Sequence, residues 1–183
     1  KYDTSSGESA NASCRDTYVS SASNPAGASG YLVLPSHPDG SRVAAVVAIH
    51  GGLAETAVGG QQQTHAYAEE VSSHLCNTGI AVFSVDYPWS DIGGAELRAT
   101  AAAFDYLRSR QDIDASRIAV LGSSSGGYKA MMAAAAPPYA RPFAAVVNLY
   151  GFVSAASEIQ DEPWNTQAAL TRYLAATAGS RGR

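Results

Sequence analysis

The chain has 183 residues, of which 46% are hydrophobic and 15% are charged, and its formal net charge is -4. This length and composition are typical of one globular domain with a sizeable core, and they exclude a disordered chain. The acidic balance and the lack of a basic cluster argue against a nucleic-acid partner, and the apolar runs are too short to span a bilayer.

The N-terminal part predicts a loose arm followed by a β-hairpin. Residues 1–13 are mostly small and polar, and they predict the arm. Two strand candidates follow, Thr17 to Ala22 and Tyr31 to Leu34, on either side of the turn signal Asn24-Pro25-Ala26-Gly27. We therefore expect an antiparallel hairpin at the edge of a sheet.

Three features of the same region favour a secreted protein. Cys14 and Cys76 fit one disulfide without establishing it, and they lack the spacing of a metal site. The chain begins with Lys1 rather than Met, which a removed leader would explain and so would an incomplete start. The N-terminus is rich in Ser, Asn and Gly, and within it Asn11-Ala12-Ser13 matches a glycosylation acceptor. Disulfides persist in oxidising compartments, so together these features favour secretion.

From Val43 onward, predicted strands alternate with predicted helices. The strands are Val43 to Ile49, Ile80 to Val85, Ile118 to Leu121 and Phe143 to Leu149. The helices are Gln61 to Cys76, Gly93 to Arg110 and a segment from about Gly126 to Pro137, with Asn165 to Ala178 as a further candidate. This alternation predicts an α/β fold, with a mostly parallel sheet flanked by helices on both faces.

The predicted sheet brings three loops together. Reactive groups collect at the carboxyl ends of parallel strands, and the loops after Ile49, Val85 and Leu121 fall there. The segment Asp112 to Ser116 is expected to be a polar turn before the third of these strands. No internal repeat or linker divides the chain, so we expect a single domain over residues 1–183.

The segment Arg117 to Lys129, RIAVLGSSSGGYK, contains G-x-S-x-G with Ser124 in the middle, between a predicted strand and a predicted helix. A serine on such a tight turn stands clear of the sheet, and its neighbours must be small because the backbone is crowded there. The helix N-terminus carries positive character toward the point where negative charge would develop. The pattern predicts a serine nucleophile. A phosphate-binding or plain connecting turn is the alternative.

A second motif, His50-Gly51-Gly52, follows the first predicted parallel strand. Acyl transfer to a serine creates an oxyanion that needs hydrogen-bond donors already in place, and glycine lets the backbone turn its N–H groups toward it. The N–H of Gly51 or Gly52 and that of Ser125 are the candidate donors. Alternatively, the glycines only turn the chain out of the strand. We expect His50 to orient this loop rather than act as the base.

The runs VVAIHGG, IAVFSVDYP, RIAVLGSSSGGYKA and AAVVNLYGF resemble the α/β-hydrolase fold. Within that fold, the chain is similar to esterases of the hormone-sensitive-lipase and acetyl-esterase type over Val43 to Phe152. The resemblance implies an enzyme that acts on a small-molecule ester, with Ser124 as nucleophile and Gly51, Gly52 and Ser125 around the oxyanion. No metal or nucleotide motif occurs, so we expect no cofactor.

Two other observations concern the substrate pocket. Leu53 stands where many such esterases have a third glycine, so the detailed shape of the oxyanion loop stays open. Tyr87, Trp89 and Trp164 are candidates for an aromatic pocket, although packing is the more common role of aromatic residues near loops.

A base and an acid for the serine are not evident. In this family the order is Ser, then Asp or Glu, then His, yet all four histidines lie between positions 37 and 74. Glu158, Asp161 and Glu162 are candidates for the acid and are otherwise interpreted as solvated loop charges. The resemblance also implies two further strands, which carry the acid and the histidine and which we expect to be missing from this chain.

Three explanations are open. We favour a longer or nicked enzyme whose remaining segment supplies the acid and the histidine. The alternatives are a catalytically inactive relative that binds a ligand, and an unusual geometry that recruits His50 or His65. The apolar run Phe143 to Leu149 supports the first, because an unpaired apolar edge strand is an aggregation hazard. The sequence therefore predicts an additional polypeptide segment that pairs with this strand.

Overall fold

The computed structural model describes residues 14–36, 40–51, 60–87 and 94–151. The elements in chain order are β1 (Cys14–Val19), β2 (Gly30–Pro35), β3 (Val43–Ile49), α1 (Gly60–Leu75), β4 (Ile80–Val85), α2 (Ala95–Ser109), β5 (Ile113–Ser123), α3 (Ser125–Ala135) and β6 (Val146–Leu149). Short 3-10 turns lie at Ser21–Ser23 and Cys76–Thr78. The predicted arm, residues 1–13, and the helix candidate Asn165 to Ala178 lie outside the described residues.

The six strands form one sheet in the order β1-β2-β4-β3-β5-β6. β1 pairs antiparallel with β2, and β2 pairs antiparallel with β4. The remaining pairs, β3 with β4, β3 with β5 and β5 with β6, are parallel. The prediction of a mostly parallel sheet with an N-terminal antiparallel hairpin at its edge is confirmed.

Helices cover both faces of this sheet. Alternate residues of β3 enter two separate apolar clusters, since successive side chains of a strand point to opposite faces. Val47 packs in the cluster that contains Phe104 of α2, whereas Ala48 packs with Tyr67 of α1. β3 is buried on both faces, which explains its unbroken run of valine, alanine and isoleucine.

β1 and β5 differ from the sequence-based bounds. β1 runs from Cys14 to Val19 rather than Thr17 to Ala22, because these residues pair one by one with Pro35 back to Gly30. β5 begins at Ile113, so its bounds include most of the segment Asp112 to Ser116 that was expected to be a polar turn. Val43 of β3 pairs with Ile113 and Ala45 pairs with Ile118, so the register shifts and the polar residues between them form an irregularity in the strand. Within it, the N–H of Ser116 donates to Oδ1 of Asp114 at 3.0 Å.

β6 is shorter than expected and begins at Val146 rather than Phe143. Phe143 instead packs edge-on against Phe104 of α2, with 4.8 Å between the ring centroids. Phe143 therefore packs against the core and does not lie in a strand. The other strands and helices predicted within the described residues lie within two residues of the observed bounds.

A disulfide joins the two cysteines that the sequence suggested as a pair. Cys14 opens β1 and Cys76 follows α1, and their Cα atoms are 6.3 Å apart. The bond fixes the end of α1 to the edge of the sheet. None of the helices within the described ranges is long and apolar enough to cross a membrane.

Candidate active site

Ser124 occupies the turn between β5 and α3 with φ 53° and ψ -126°. This backbone conformation is unfavourable for a residue other than glycine, and it persists only where the surroundings hold it. The N–H of Ser124 donates to the carbonyl of Leu149 in β6 at 3.0 Å, and its carbonyl accepts from the N–H of Gly127 at 2.9 Å. Such strain at a serine motivates the hypothesis of a nucleophile.

The two outer glycines of G-x-S-x-G lie where side chains do not fit. A Cβ on Gly122 would overlap the carbonyl of Gly126. A Cβ on Gly126 would overlap the carbonyl of Ile49 and lie 2.6 Å from that of His50. The turn therefore depends on a close crossing of backbone from β3, β5 and α3.

We expect the substitution Gly126→Ala to lower the free energy of unfolding by about 3 kcal/mol, because its Cβ meets backbone that cannot move aside. Alanine also restricts the unfolded chain more than glycine does, and this effect offsets the loss by less than about 1 kcal/mol. Urea unfolding followed by circular dichroism measures the difference.

Gly27→Ala is the control for Gly126→Ala, since Gly27 has φ +71° but nothing within 4 Å of its Cβ position. It tests the cost of backbone conformation alone, roughly 1–2 kcal/mol. Equal losses for the two variants would contradict the crowding argument.

The loop after β3 borders the serine. A Cβ on Gly51 would lie 2.8 Å from Cβ and 3.5 Å from Oγ of Ser124. Ser125 is buried in the first turn of α3. The fold thus brings Ser124, Gly51 and Ser125 together at the carboxyl ends of β3 and β5, while Gly52 lies outside the described residues.

His50 is buried directly behind this loop. Its Nδ1 lies 2.9 Å from the carbonyl oxygen of Gly51, and its Nε2 lies 3.4 Å from Oγ1 of Thr64. The network assigns the proton to Nδ1, which donates to Gly51, while Nε2 accepts from Thr64. Burial lowers the pKa of His50 below its usual range, against the hydrogen bond to Gly51, which raises it. The neutral ring therefore holds the loop.

Tyr87 is buried rather than placed along an open aromatic pocket. Its hydroxyl donates to the carbonyl of His50 at 2.7 Å, and its ring stacks on the imidazole with 4.6 Å between centroids. Burial, followed by the charge of Glu96, raises the pKa of Tyr87, so the hydroxyl stays a donor. The other two aromatic candidates, Trp89 and Trp164, lie outside the described residues.

Gln63 is a site residue that sequence reasoning missed. Its Nε2 donates to the carbonyl of Gly51 at 3.0 Å, so that this oxygen accepts from both Gln63 and His50. Two partners on one oxygen hold the Gly51 carbonyl in a single direction. The signal in the sequence is the run of glutamines that opens the helix after the glycine loop.

Asn148 at the end of β6 was missed as well. Its Oδ1 accepts from the N–H of Gly151 at 2.7 Å and occupies the place where a Cβ of Gly127 would stand. Its Nδ2 donates to the carbonyl of Gly151 at 3.3 Å. One amide therefore closes the turn after β6 against the first turn of α3.

The remaining candidates lie elsewhere. Nε2 of His65 is 3.0 Å from Oδ2 of Asp16 in β1, and its ring packs against Tyr31. His65 thus contacts the hairpin. The proposed acids, Glu158, Asp161 and Glu162, lie outside the described residues.

Comparison with known proteins gives one family and several solved structures. The profile of the BD-FAE family matches residues 32–162. S-formylglutathione hydrolase (FrmB) from Staphylococcus aureus is 16% identical with a TM-score of 0.60, over 88% of this chain and 66% of that one. MGS-M1, an α/β hydrolase from a deep-sea metagenome, is 20% identical with a TM-score of 0.52, over 67% and 51%.

Esterase B from Lactobacillus rhamnosis, solved with a tributyrin phosphonate inhibitor, is 18% identical with a TM-score of 0.53, over 67% of this chain and 40% of that one. No curated protein matches the chain. The chain spans less than two thirds of the length of each of these three structures. At these identities the likeness establishes the α/β-hydrolase fold that the sequence motifs predict.

Proposed function

Since the chain belongs to the BD-FAE family and has the α/β-hydrolase fold, we propose that it forms part of a serine hydrolase that cleaves small-molecule carboxylic esters. The observation that carries the proposal is the strained Ser124, with the backbone of Gly51 beside its hydroxyl. A strained nucleophile next to a loop of ordered backbone dipoles suits acyl transfer.

In the proposed reaction, Oγ of Ser124 attacks the ester carbonyl and its proton passes to a histidine. The oxyanion accepts hydrogen bonds from the N–H of Ser125 and from the loop that contains Gly51 and Gly52. The C–O bond to the alcohol then breaks, and the histidine returns the proton to the leaving oxygen. Water releases the acid by the same steps in reverse order.

The acid and the histidine are proposed to come from a segment outside this chain. β6 supports this idea, because the exposed fractions of Val146, Val147 and Leu149 are 42%, 38% and 40%. Among the described strands, β6 pairs with β5 alone. A further strand beside β6 would cover these side chains and extend the sheet past the serine, as the sequence predicts.

We also propose that the protein is secreted. The disulfide between Cys14 and Cys76 is of the kind that persists in oxidising compartments. The proposal would place an ester substrate outside the cell as well.

Incubation with a fluorophosphonate tests the nucleophile. We expect a stoichiometric adduct, located at Ser124 by peptide mass spectrometry, because an activated serine displaces fluoride from phosphorus. Heat-denatured protein is the control and should not react. An intact protein without an adduct would contradict the proposed function.

A second candidate is a hydrolase-like binding protein without activity. It is favoured by the absence of any histidine after Ser124 among the 183 residues. This candidate predicts saturable ligand binding without p-nitrophenyl ester turnover, and no burst of product, even when every segment of the protein is present.

A further inference from the structure

A buried ion pair lies behind the candidate active site. Nζ of Lys129 in α3 is 3.1 Å from Oε2 of Glu96 in the first turn of α2, and the side chains are 2% and 4% exposed. Removing two charges from water costs free energy that their attraction often fails to restore, and an apolar pair of similar volume is commonly as stable. Stability alone is therefore a poor explanation for this pair.

The pair contacts the residues that support the loop beside Ser124. Nζ of Lys129 lies 4.3 Å from the ring centroid of Tyr87, within the range of a cation–π interaction. Tyr87 donates to the carbonyl of His50 and stacks on its ring. His50 in turn donates to the carbonyl of Gly51. A continuous series of contacts therefore joins α2 and α3 to the carbonyl of Gly51, next to Ser124.

The geometry of this series also explains why a charge is useful there. Tyr87 lies two residues after the end of β4. An ammonium group over the ring favours one ring position, and Glu96 holds the ammonium in place. Two apolar side chains would fill the same volume without that directional preference, because dispersion contacts are not directional.

We propose that Lys129 and Glu96 are positioning residues that act through Tyr87 and His50 to set the direction of the Gly51 carbonyl. Since Gly51 lies beside the Ser124 side chain, the pair holds the backbone next to the proposed nucleophile in place. The inference rests on the proposed function for its catalytic consequence. It does not rest on that function for the position of the His50 ring.

The test replaces the pair by apolar residues of similar size, Lys129→Met together with Glu96→Leu. We expect the variant to fold, with a melting temperature close to that of the wild type. We expect its rate constant for fluorophosphonate labelling to fall at least about tenfold, since the backbone beside Oγ of Ser124 is no longer held in the arrangement that stabilises the charged intermediate. NMR of the imidazole should show at least about tenfold faster exchange of the His50 Nδ1 proton, because the ring is no longer held.

The matched control is a second ion pair that also involves α2. Nη2 of Arg141 lies 2.7 Å from Oδ2 of Asp105 in α2, and this pair joins α2 to the segment that follows α3. Arg141→Met with Asp105→Leu should leave both the labelling rate and the His50 exchange rate within about twofold of the wild type. Equal effects of the two double variants would overturn the proposal.

The route through Tyr87 has its own test. Tyr87→Phe removes the hydroxyl that donates to His50. If the ion pair acts through this ring, adding Tyr87→Phe to the apolar double variant should slow labelling by less than about twofold further. Independent, multiplying losses would overturn the route.

The proposal can be tested even if the apolar variant does not fold or the wild type is not labelled. If the apolar variant fails to fold, the isosteric Glu96→Gln variant replaces it, and wild-type His50 exchange in that folded variant would overturn the proposal. If the wild-type protein forms no fluorophosphonate adduct, the proposed function fails. The exchange of the His50 proton still supports or overturns the positioning role in that case.

Discussion

Replacing Ser124 by alanine is expected to lower ester turnover at least about a thousandfold, because the attacking oxygen is removed and no acyl-enzyme forms. The substitution deletes one oxygen atom and leaves the backbone bonds to Leu149 and Gly127 in place. Binding of the ester should change little. The measurement is steady-state hydrolysis of p-nitrophenyl acetate by the polypeptide that carries the complete site.

The control for Ser124→Ala is Ser73→Ala, which removes an exposed serine hydroxyl that donates to the carbonyl of Glu70 within α1. It should retain wild-type turnover and fluorophosphonate labelling. Residual turnover in the Ser124 variant from the oxyanion donors alone is expected to be small. Turnover in that variant within about tenfold of the wild type would show that another residue is the nucleophile.

Removal of the disulfide is expected to lower the free energy of unfolding by about 2–4 kcal/mol. Cys14 and Cys76 are 62 positions apart in sequence, so the bond closes a long loop and restricts the unfolded chain strongly. The loop contains β2, β3 and α1, and thus the strand that leads to His50. Urea unfolding of the Cys14→Ser, Cys76→Ser double variant measures the loss.

Reductant provides the control for the disulfide variant. Dithiothreitol should destabilise the wild-type protein by a similar amount and leave the double variant unchanged. A wild-type protein that unfolds at the same urea concentration with and without reductant would contradict the prediction.

Local patterns were sufficient for the parts of the fold that depend on neighbouring residues. The β-branched run Val43 to Ile49 and the run Ile80 to Val85 match the observed strands. Such unbroken apolar runs are typical of parallel strands that are buried on both faces of a sheet. The position of Ser124 between a strand and a helix followed from the G-x-S-x-G spacing in the same way.

Tertiary pairing decided what local patterns missed. β5 begins at Ile113 because Val43 lies beside it, and the polar residues between Ile113 and Ile118 form an irregularity in the pairing with β3. No local property of these residues predicts that neighbour. The same reason applies to Gln63 and Lys129, whose contacts with Gly51 and Tyr87 join elements distant in sequence. The sequence identified the proposed nucleophile and oxyanion loop, whereas the groups that hold them depended on the packed structure.

The pairing of β3 with β5 has a consequence for the order of folding. Val47 pairs with Val120, so the contact joins distant parts of the chain across the whole of α1, β4 and α2. Contacts between distant residues form slowly, because closing the intervening loop costs conformational entropy before the new contacts can offset that cost. The end of β3 and the turn at Ser124 come together when this pairing forms. During refolding, helical circular dichroism should therefore recover before the serine becomes reactive, and the reactive serine reports the completed sheet.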